Sequence, residues 1–467
     1  MCMDSFDFLS PLDARYQGAL LPLSKYCGQN CLTKNRVKVE TEYLILLSSL
    51  DLPNFPKLNK TEIDYIRALQ NLTKQDFTLI NAIENTGYKN IPATRHDVKA
   101  IEYFLKIKFQ EHKTLKNKTS WLHFAITSED TNSPSHALIL ADGLQNVVIP
   151  ALENLLKDLK TLARKEANSP MLARTHGQVA VPTTFGKEIA VFATRLQKQI
   201  SSLKTLKPTC KFSGAVGNFN AHYAVFPNIN WQKVTQNLIK KLNENRKIKI
   251  ELSPITTQID NYDSFAEIFD NLARINNILL DLAQDFWRYI SDGWLKQQIV
   301  KGEVGSSTMP QKVNPIFFEN AEGNLGLANA ILKFLSAKLP VSRLQRDLSG
   351  STVIRNIPVA LAHSLLAYQN LIKGLNRIVF DRKKALEALK QNPQILAEYF
   401  QTLLRANGVN NAYEIIKDLT RTYKFSEEDL DKFLAKQKLS KDLKNKIKQA
   451  KAENYLGIAP LLVKEIK

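Results

Sequence analysis

The stretch GEVGSSTMPQKVNP, residues 302–315, concentrates glycines, hydroxyls, one lysine and one asparagine between two segments that read as helices. Three more polar stretches stand outside the helical pattern: ATRHDVKAIEY (93–103), TSEDTN (127–132) and RTHGQVAVPTT (174–184). Singly, each has a plain structural reading. A lone His176 is more often structural than acidic, a lone Lys312 more often solvated than functional, and a Gly-Ser-Ser loop is usually a connector. Together they supply hydroxyls, one imidazole, one loop lysine and amide groups, an inventory suited to acid–base chemistry on an anionic substrate. No HExxH or carboxylate–histidine cluster suggests a metal. GAVGNFNAH (214–222) lacks the spacing of a phosphate or dinucleotide loop, so neither a metal nor a cofactor is expected.

Long helices must hold these stretches in place. In 264–294, Phe265, Ile268, Phe269, Leu272, Ile275, Leu279, Leu282, Phe286 and Tyr289 recur at steps of three and four, and Ser264 with Glu267 has capping-box spacing. A rod of roughly 40 Å with so broad an apolar stripe calls for partner helices along its length. Residues 134–167 and 183–206 carry the same periodicity, with Pro150 marking a kink or break. Residues 316–380 read as helix interrupted at 339–358, and the remainder as helix broken near Asn392-Pro393. The expectation is an all-α protein in three parts: an N-terminal mainly helical domain (1–116), a central helical bundle that assembles between subunits (117–375) and a C-terminal helical domain (376–467).

Composition narrows the function classes. A 44% hydrophobic and 23% charged chain is globular, and no apolar run approaches a bilayer span. With no secretory signal visible, a cytoplasmic protein is expected. Cys2, Cys27, Cys31 and Cys210 form no CxxC pair and read as free thiols. The net charge of +19 fits anionic substrates or nucleic acid. No arginine-rich arm or aromatic–basic motif favours the latter, so solvated surface charge is the expectation.

GSSTMPQKVNP (305–315) resembles the signature of the fumarase/aspartase superfamily. SPLDARY (10–16), RHDVKAIEYFL (95–105), TSEDTN, RTHGQVAVPTTFGKE (174–188), GAVGNFNAH, TTQI (256–259) and RDLSGSTVIRN (346–356) resemble its bacterial adenylosuccinate lyase branch. The resemblance runs nearly end to end. It implies a β-elimination that releases fumarate from adenylosuccinate, leaving AMP, and from the succinyl-carboxamide ribotide (SAICAR) of purine synthesis, giving AICAR. Ser306 matches the family's base and His176 its general acid. A serine needs nearby N–H groups and positive charge to act as a base, and flanking glycines allow such close approach. Lys312 and Asn314 suit the substrate carboxylate. Arg15 and Tyr16 match phosphate or ribose contacts, Arg95, His96 and Asp97 a substrate-binding triplet in which His96 assists the acid or binds substrate, and Thr127 and Ser128 the succinyl carboxylates. Gln258 matches a substrate amide, and Arg346, Ser351 and Arg355 the nucleotide side, where guanidinium forks suit phosphate.

The resemblance also implies a homotetramer in which each site draws on three subunits, with no cofactor. The sequence departs from the branch where Arg95 replaces an asparagine, where RDLSGST replaces RDLTDST, and where TSEDTNS replaces TSEDINN. Other readings remain open: a sister lyase (argininosuccinate lyase, fumarase or aspartase), a catalytically dead relative, or a basic, non-catalytic nucleic-acid-binding helical protein.

Overall fold

The computed structural model describes residues 8–55, 57–298, 308–309, 311–420 and 427–466. Helices dominate it. Those that bear on function are α1 (Gln29–Ser48), α2 (Asp97–Glu111), α3 (Ser128–Gly143), α4 (Ile149–Lys165), α5 (Phe185–Leu203), α6 (Asp263–Ser291), α7 (Ile316–Lys338), α8 (Ser349–Ile354) and α9 (Ile357–Leu375). The β-structure among the described residues is three two-stranded ladders and one isolated bridge, Tyr88 with Ile91. The longest is the antiparallel hairpin of β1 (Pro170–Thr175) and β2 (Gln178–Thr184).

The long rod forms as its periodicity predicts, 29 residues from Asp263. Its stripe is covered more completely than expected. Every stripe residue from Phe265 to Phe286 is buried by the chain itself, leaving Tyr289 half-buried and Trp287 exposed. The rod therefore does not by itself demand a second copy. Ser264 is not an N-cap: it lies inside the helix, and its hydroxyl accepts the Thr209 N–H at 2.8 Å.

Helix α3 begins earlier than its apolar pattern does. Ser128–Asn132, read as a polar stretch outside the helices, forms its first turn, and the Thr127 N–H donates to Asp130 at 2.9 Å. Between α3 and α4 lies one π-helical turn, Leu144–Val148, immediately before Pro150. Proline lacks the N–H that would bond four residues back, and its ring crowds that carbonyl. Widening the preceding turn accommodates the ring while helical direction is kept.

The chain divides into two compact units. The first comprises Met1–Leu152, Gln199–Asn277 and Gly323–Tyr368; the second comprises Glu153–Lys198, Ile278–Glu322 and Gln369–Lys467. In the first, buried polar groups are paired across helices. Tyr368 donates to Asn276 at 2.6 Å, and Asn276 donates to Ser364 at 3.1 Å. In the second, Phe185 stacks on Phe380 with centroids 4.5 Å apart and packs against Phe286 at 6.0 Å. That aromatic cluster seats the end of the hairpin, which leads directly into α5.

Candidate active site

The first unit gathers many of the residues singled out in the sequence. Arg95 and His96 precede α2, and Asp97 is its first residue. The His96 ring accepts the Lys99 N–H and caps the helix. Arg95 holds a left-handed backbone (φ 49), its N–H donating to the Glu84 carbonyl at 2.9 Å. Asp97 receives two guanidinium groups on Oδ2, from Arg36 and Arg355, each at 2.7 Å. Burial alone would raise its pKa; Arg36 first, then Arg355, reverse this and bring it down to about 2.

A second cluster centres on Arg346. Its guanidinium donates to Gln258 at 2.9 Å and to Ser351 at 3.1 Å, and lies 3.4 Å from Glu129. Tyr262 donates to the other oxygen of Glu129 at 3.2 Å. Burial pushes the Glu129 carboxyl up, against the pull of Arg346. Gln258 is fixed at its other end, donating to the Ala215 carbonyl at 2.9 Å. Glu129 follows Thr127 and Ser128 directly, so the start of α3 is tied to this cluster. Beneath it, Asp130 is fully buried, pairs with Lys211 at 2.7 Å and accepts the Ser213 N–H at 2.7 Å. The loop GAVGNFNAH is thereby pinned to α3.

Two clefts open on these clusters and share Asp347. One is narrow and partly open to solvent, and is lined by Arg36, Asn132, His136, Tyr262, Ser351 and Arg355 among others. The other is wider and shallower, with His96, Gln258, Arg346 and the exposed Leu344 and Leu348 on its walls. Arg355 is 46% exposed on its side chain while Asp97 holds its other edge, which leaves guanidinium N–H groups free to meet an anion.

The remaining described site residues lie elsewhere. Arg15 and Tyr16, also in the first unit, enter the Gln17–Cys27 helix, with Arg15 6.0 Å above the Tyr16 ring. His176, Lys312 and Asn314 belong to the second unit. His176 and Gly177 are the whole connection between β1 and β2, with φ of 53 and 74. Two left-handed residues make a type I′ turn, whose twist matches the strands it joins. Histidine pays for that backbone with strain on the order of 1 kcal/mol, while its imidazole is carried exposed on the hairpin tip. Lys312 is exposed, its N–H donating to the Met309 carbonyl at 3.0 Å. The Pro315 carbonyl accepts the Phe318 and Glu319 N–H groups and starts α7, so Asn314 stands at that helix's entrance. Ser306 lies outside the described residues.

Sequence reasoning missed Arg36, Glu129, Asn132, His136 and Tyr262. A signal existed for the first. Leu32, Arg36, Glu40, Leu44 and Leu47 fall on one helical stripe, so two charges occupy core positions in α1. Charges placed there must be paired.

Comparison with known proteins bears on family and fold. A family described as lyase matches residues 56–330, and one described as adenylosuccinate lyase C-terminal matches 342–456. The fold is that of a fumarate lyase from Mesorhizobium sp. BNC1 (TM-score 0.74, 18% identity, covering 95% of this chain and 96% of that one). It is likewise that of a 3-carboxy-cis,cis-muconate lactonizing enzyme from Pseudomonas putida (TM-score 0.71, 20% identity, 97% and 96%). Fold and family match together define an enzyme, a lyase of the fumarate lyase superfamily. Adenylosuccinate lyases of Dictyostelium discoideum (42% identity, 98% of both chains) and of Haemophilus influenzae and Escherichia coli K12 (each 40%, 100% of both) are similar over the full length. The chain belongs to the adenylosuccinate lyase family.

Proposed function

We propose that this chain cleaves adenylosuccinate to AMP and fumarate, and SAICAR to AICAR and fumarate, in purine nucleotide biosynthesis. The observation that supports it best is the pair of anchored guanidinium groups, Arg346 and Arg355, beside Gln258 and the start of α3. A nucleotide phosphate meets the arginine edges, and Thr127 and Ser128 meet the succinyl carboxylates. Arg15, Tyr16, Arg95 and His96 complete the nucleotide side. Lys312 and Asn314 hold the carboxylate next to the reacting carbon. Ser306 takes the proton from that carbon, and the electron pair forms the fumarate double bond. The C–N bond breaks toward nitrogen, which receives a proton from His176. The developing aci-carboxylate gains most from a fixed cation, the role given to Lys312.

The division into 1–116, 117–375 and 376–467 is part of this reading, as are a cytoplasmic location and a homotetramer with sites shared between subunits. Support for self-association comes from α7. Gly323, Leu327, Ala330, Phe334 and Ala337 form an exposed stripe at steps of four and three, apolar and narrow enough for a helix of another copy to approach.

The activity test is the absorbance change of adenylosuccinate cleavage by purified chain, run against argininosuccinate, malate and aspartate. Turnover of one of those instead of adenylosuccinate overturns the substrate assignment. Shared sites are tested by refolding His176→Ala with Ser306→Ala. If the two groups come from different chains, about a quarter of the sites regain both. Mixed oligomers as inactive as either parent overturn sharing.

A further inference from the structure

Arg36 lies on α1 with 1% of its side chain exposed. It makes two side-chain contacts that define its direction. Nε donates to Asn132 on α3 at 2.8 Å, and the terminal nitrogen donates to Asp97 at the start of α2 at 2.7 Å. One guanidinium thus ties three helices of the first unit. A buried cation is costly unless paired, and removing its partners leaves that cost uncompensated. The pairing is unusual in its continuation. The Asp97 oxygen that receives Arg36 also receives Arg355, from the end of α8.

Both oxygens of the carboxylate are thus occupied, Oδ2 by the two guanidinium groups and Oδ1 by the Val98 N–H at 2.8 Å. Its charge would repel a phosphate or succinate, and it is held low in pKa by Arg36 and Arg355. Its geometry suits aiming Arg355, not touching an anion. Arg355 has the exposure that Arg36 lacks, 46% against 1%. Left alone, a half-exposed arginine samples many rotamers and loses that freedom when it binds. A carboxylate fixed from behind removes part of this cost before the ligand arrives.

We infer that Arg36 is a positioning residue that acts through Asp97 to hold Arg355 in the orientation that receives the nucleotide's anionic group. Asp97 is then the middle of a relay and not a ligand of the substrate. Asn132 and the neighbouring His136 ring wall the buried end of the same cleft, so the relay's support and the ligand's space are continuous. The inference rests on the proposed placement of the nucleotide at Arg355.

The test is a double-mutant cycle on the full-length chain, with adenylosuccinate turnover and, separately, AMP binding by calorimetry. Arg36→Met is expected to raise KM about tenfold with kcat within about threefold, because binding orientation is lost and chemistry is not. Arg355→Met is expected to raise KM at least as much. The double variant is expected to match Arg355→Met within about twofold, since an aiming residue has no effect once its target is gone. Arg36→Lys keeps the charge facing Asp97 and is expected to recover most of the loss. Should Arg36→Met fail to fold by circular dichroism, Asp97→Asn reads the same relay from its centre: it must raise KM and be silent on top of Arg355→Met. Losses that multiply in the double variant overturn the relay, as does a lowered Tm with unchanged KM. The AMP arm separates this from the proposed reaction. Coupled losses of AMP affinity in a chain that releases no fumarate would sink the elimination and keep the relay. Multiplying losses in a chain that does release fumarate would sink the relay alone.

Discussion

The ion-paired clusters of the first unit and the candidate residues His176 and Lys312 of the second are held in opposite ways. In the first unit, Asp97, Arg346 and Glu129 are partly or wholly buried and satisfied by partners from distant parts of the sequence. In the second, His176 rides an exposed two-residue turn and Lys312 an exposed loop, each set by local backbone geometry. Recognition of a multiply charged nucleotide benefits from groups oriented beforehand, and side chains locked into ion pairs supply that. Proton transfer needs a group that reaches the reacting atom only once substrate is seated, and a loop or hairpin tip supplies that.

The contrast makes graded predictions. The largest effect is expected at the two groups given proton transfer. Ser306→Ala and His176→Ala should each lower kcat by about 10²–10⁴-fold, the usual contribution of general acid–base groups. Because His176 is exposed, its variant should melt with the wild type; a large fall in Tm alongside lost activity would show that the hairpin tip is structural. Lys312→Met comes next. It should worsen both KM and kcat, by about 10- to 100-fold in kcat/KM, since one cation serves ground state and transition state together. Unchanged steady-state constants would make Lys312 a solvated surface charge and remove it from the contrast.

The smallest effect belongs to the buried half and is read as stability, not rate. His136 is buried against Arg36 and Arg355, and its Nδ1 has no hydrogen-bond partner among the described residues. Burial, then the two arginines, lower its pKa to about 3, so it is neutral in the folded chain. In the unfolded chain it takes up a proton near pH 6.5. The unfolded state thus binds one more proton between these values, and stability falls with falling pH by up to about 1.4 kcal/mol per unit. His136→Leu should flatten the acid side of the stability–pH curve by that slope. An identical slope in the variant would mean that His136 is already charged in the fold. His222, lowered by burial to about 4, adds a similar slope that the variant leaves in place.

Much of the protein was legible in order along the chain. The period of the apolar residues in 264–294 determined a long buried helix, because 3.6-residue periodicity is a local property that burial then rewards. The polar stretches were legible as candidate sites, yet their structure was not. TSEDTN and the start of RHDVKAIEY proved to be first turns of helices, where polar residues satisfy free backbone N–H groups and leave no apolar signal. RTHGQVAVPTT proved to be the end of β1, the turn and all of β2, and its His-Gly turn could have been recognised from the φ > 0 that such a turn requires.

Sequence by itself determined the family signature, the helical class and the residue types able to move a proton, since each is written in neighbouring positions. Only the tertiary structure decided that the rod's stripe is already covered and that Asp97 faces two arginines. It also decided that Arg36, 61 residues before Asp97, meets it. A buried ion pair joins groups whose separation along the chain carries no information about their separation in space. Desolvation forces each such charge to find a partner, and the fold determines which one it meets.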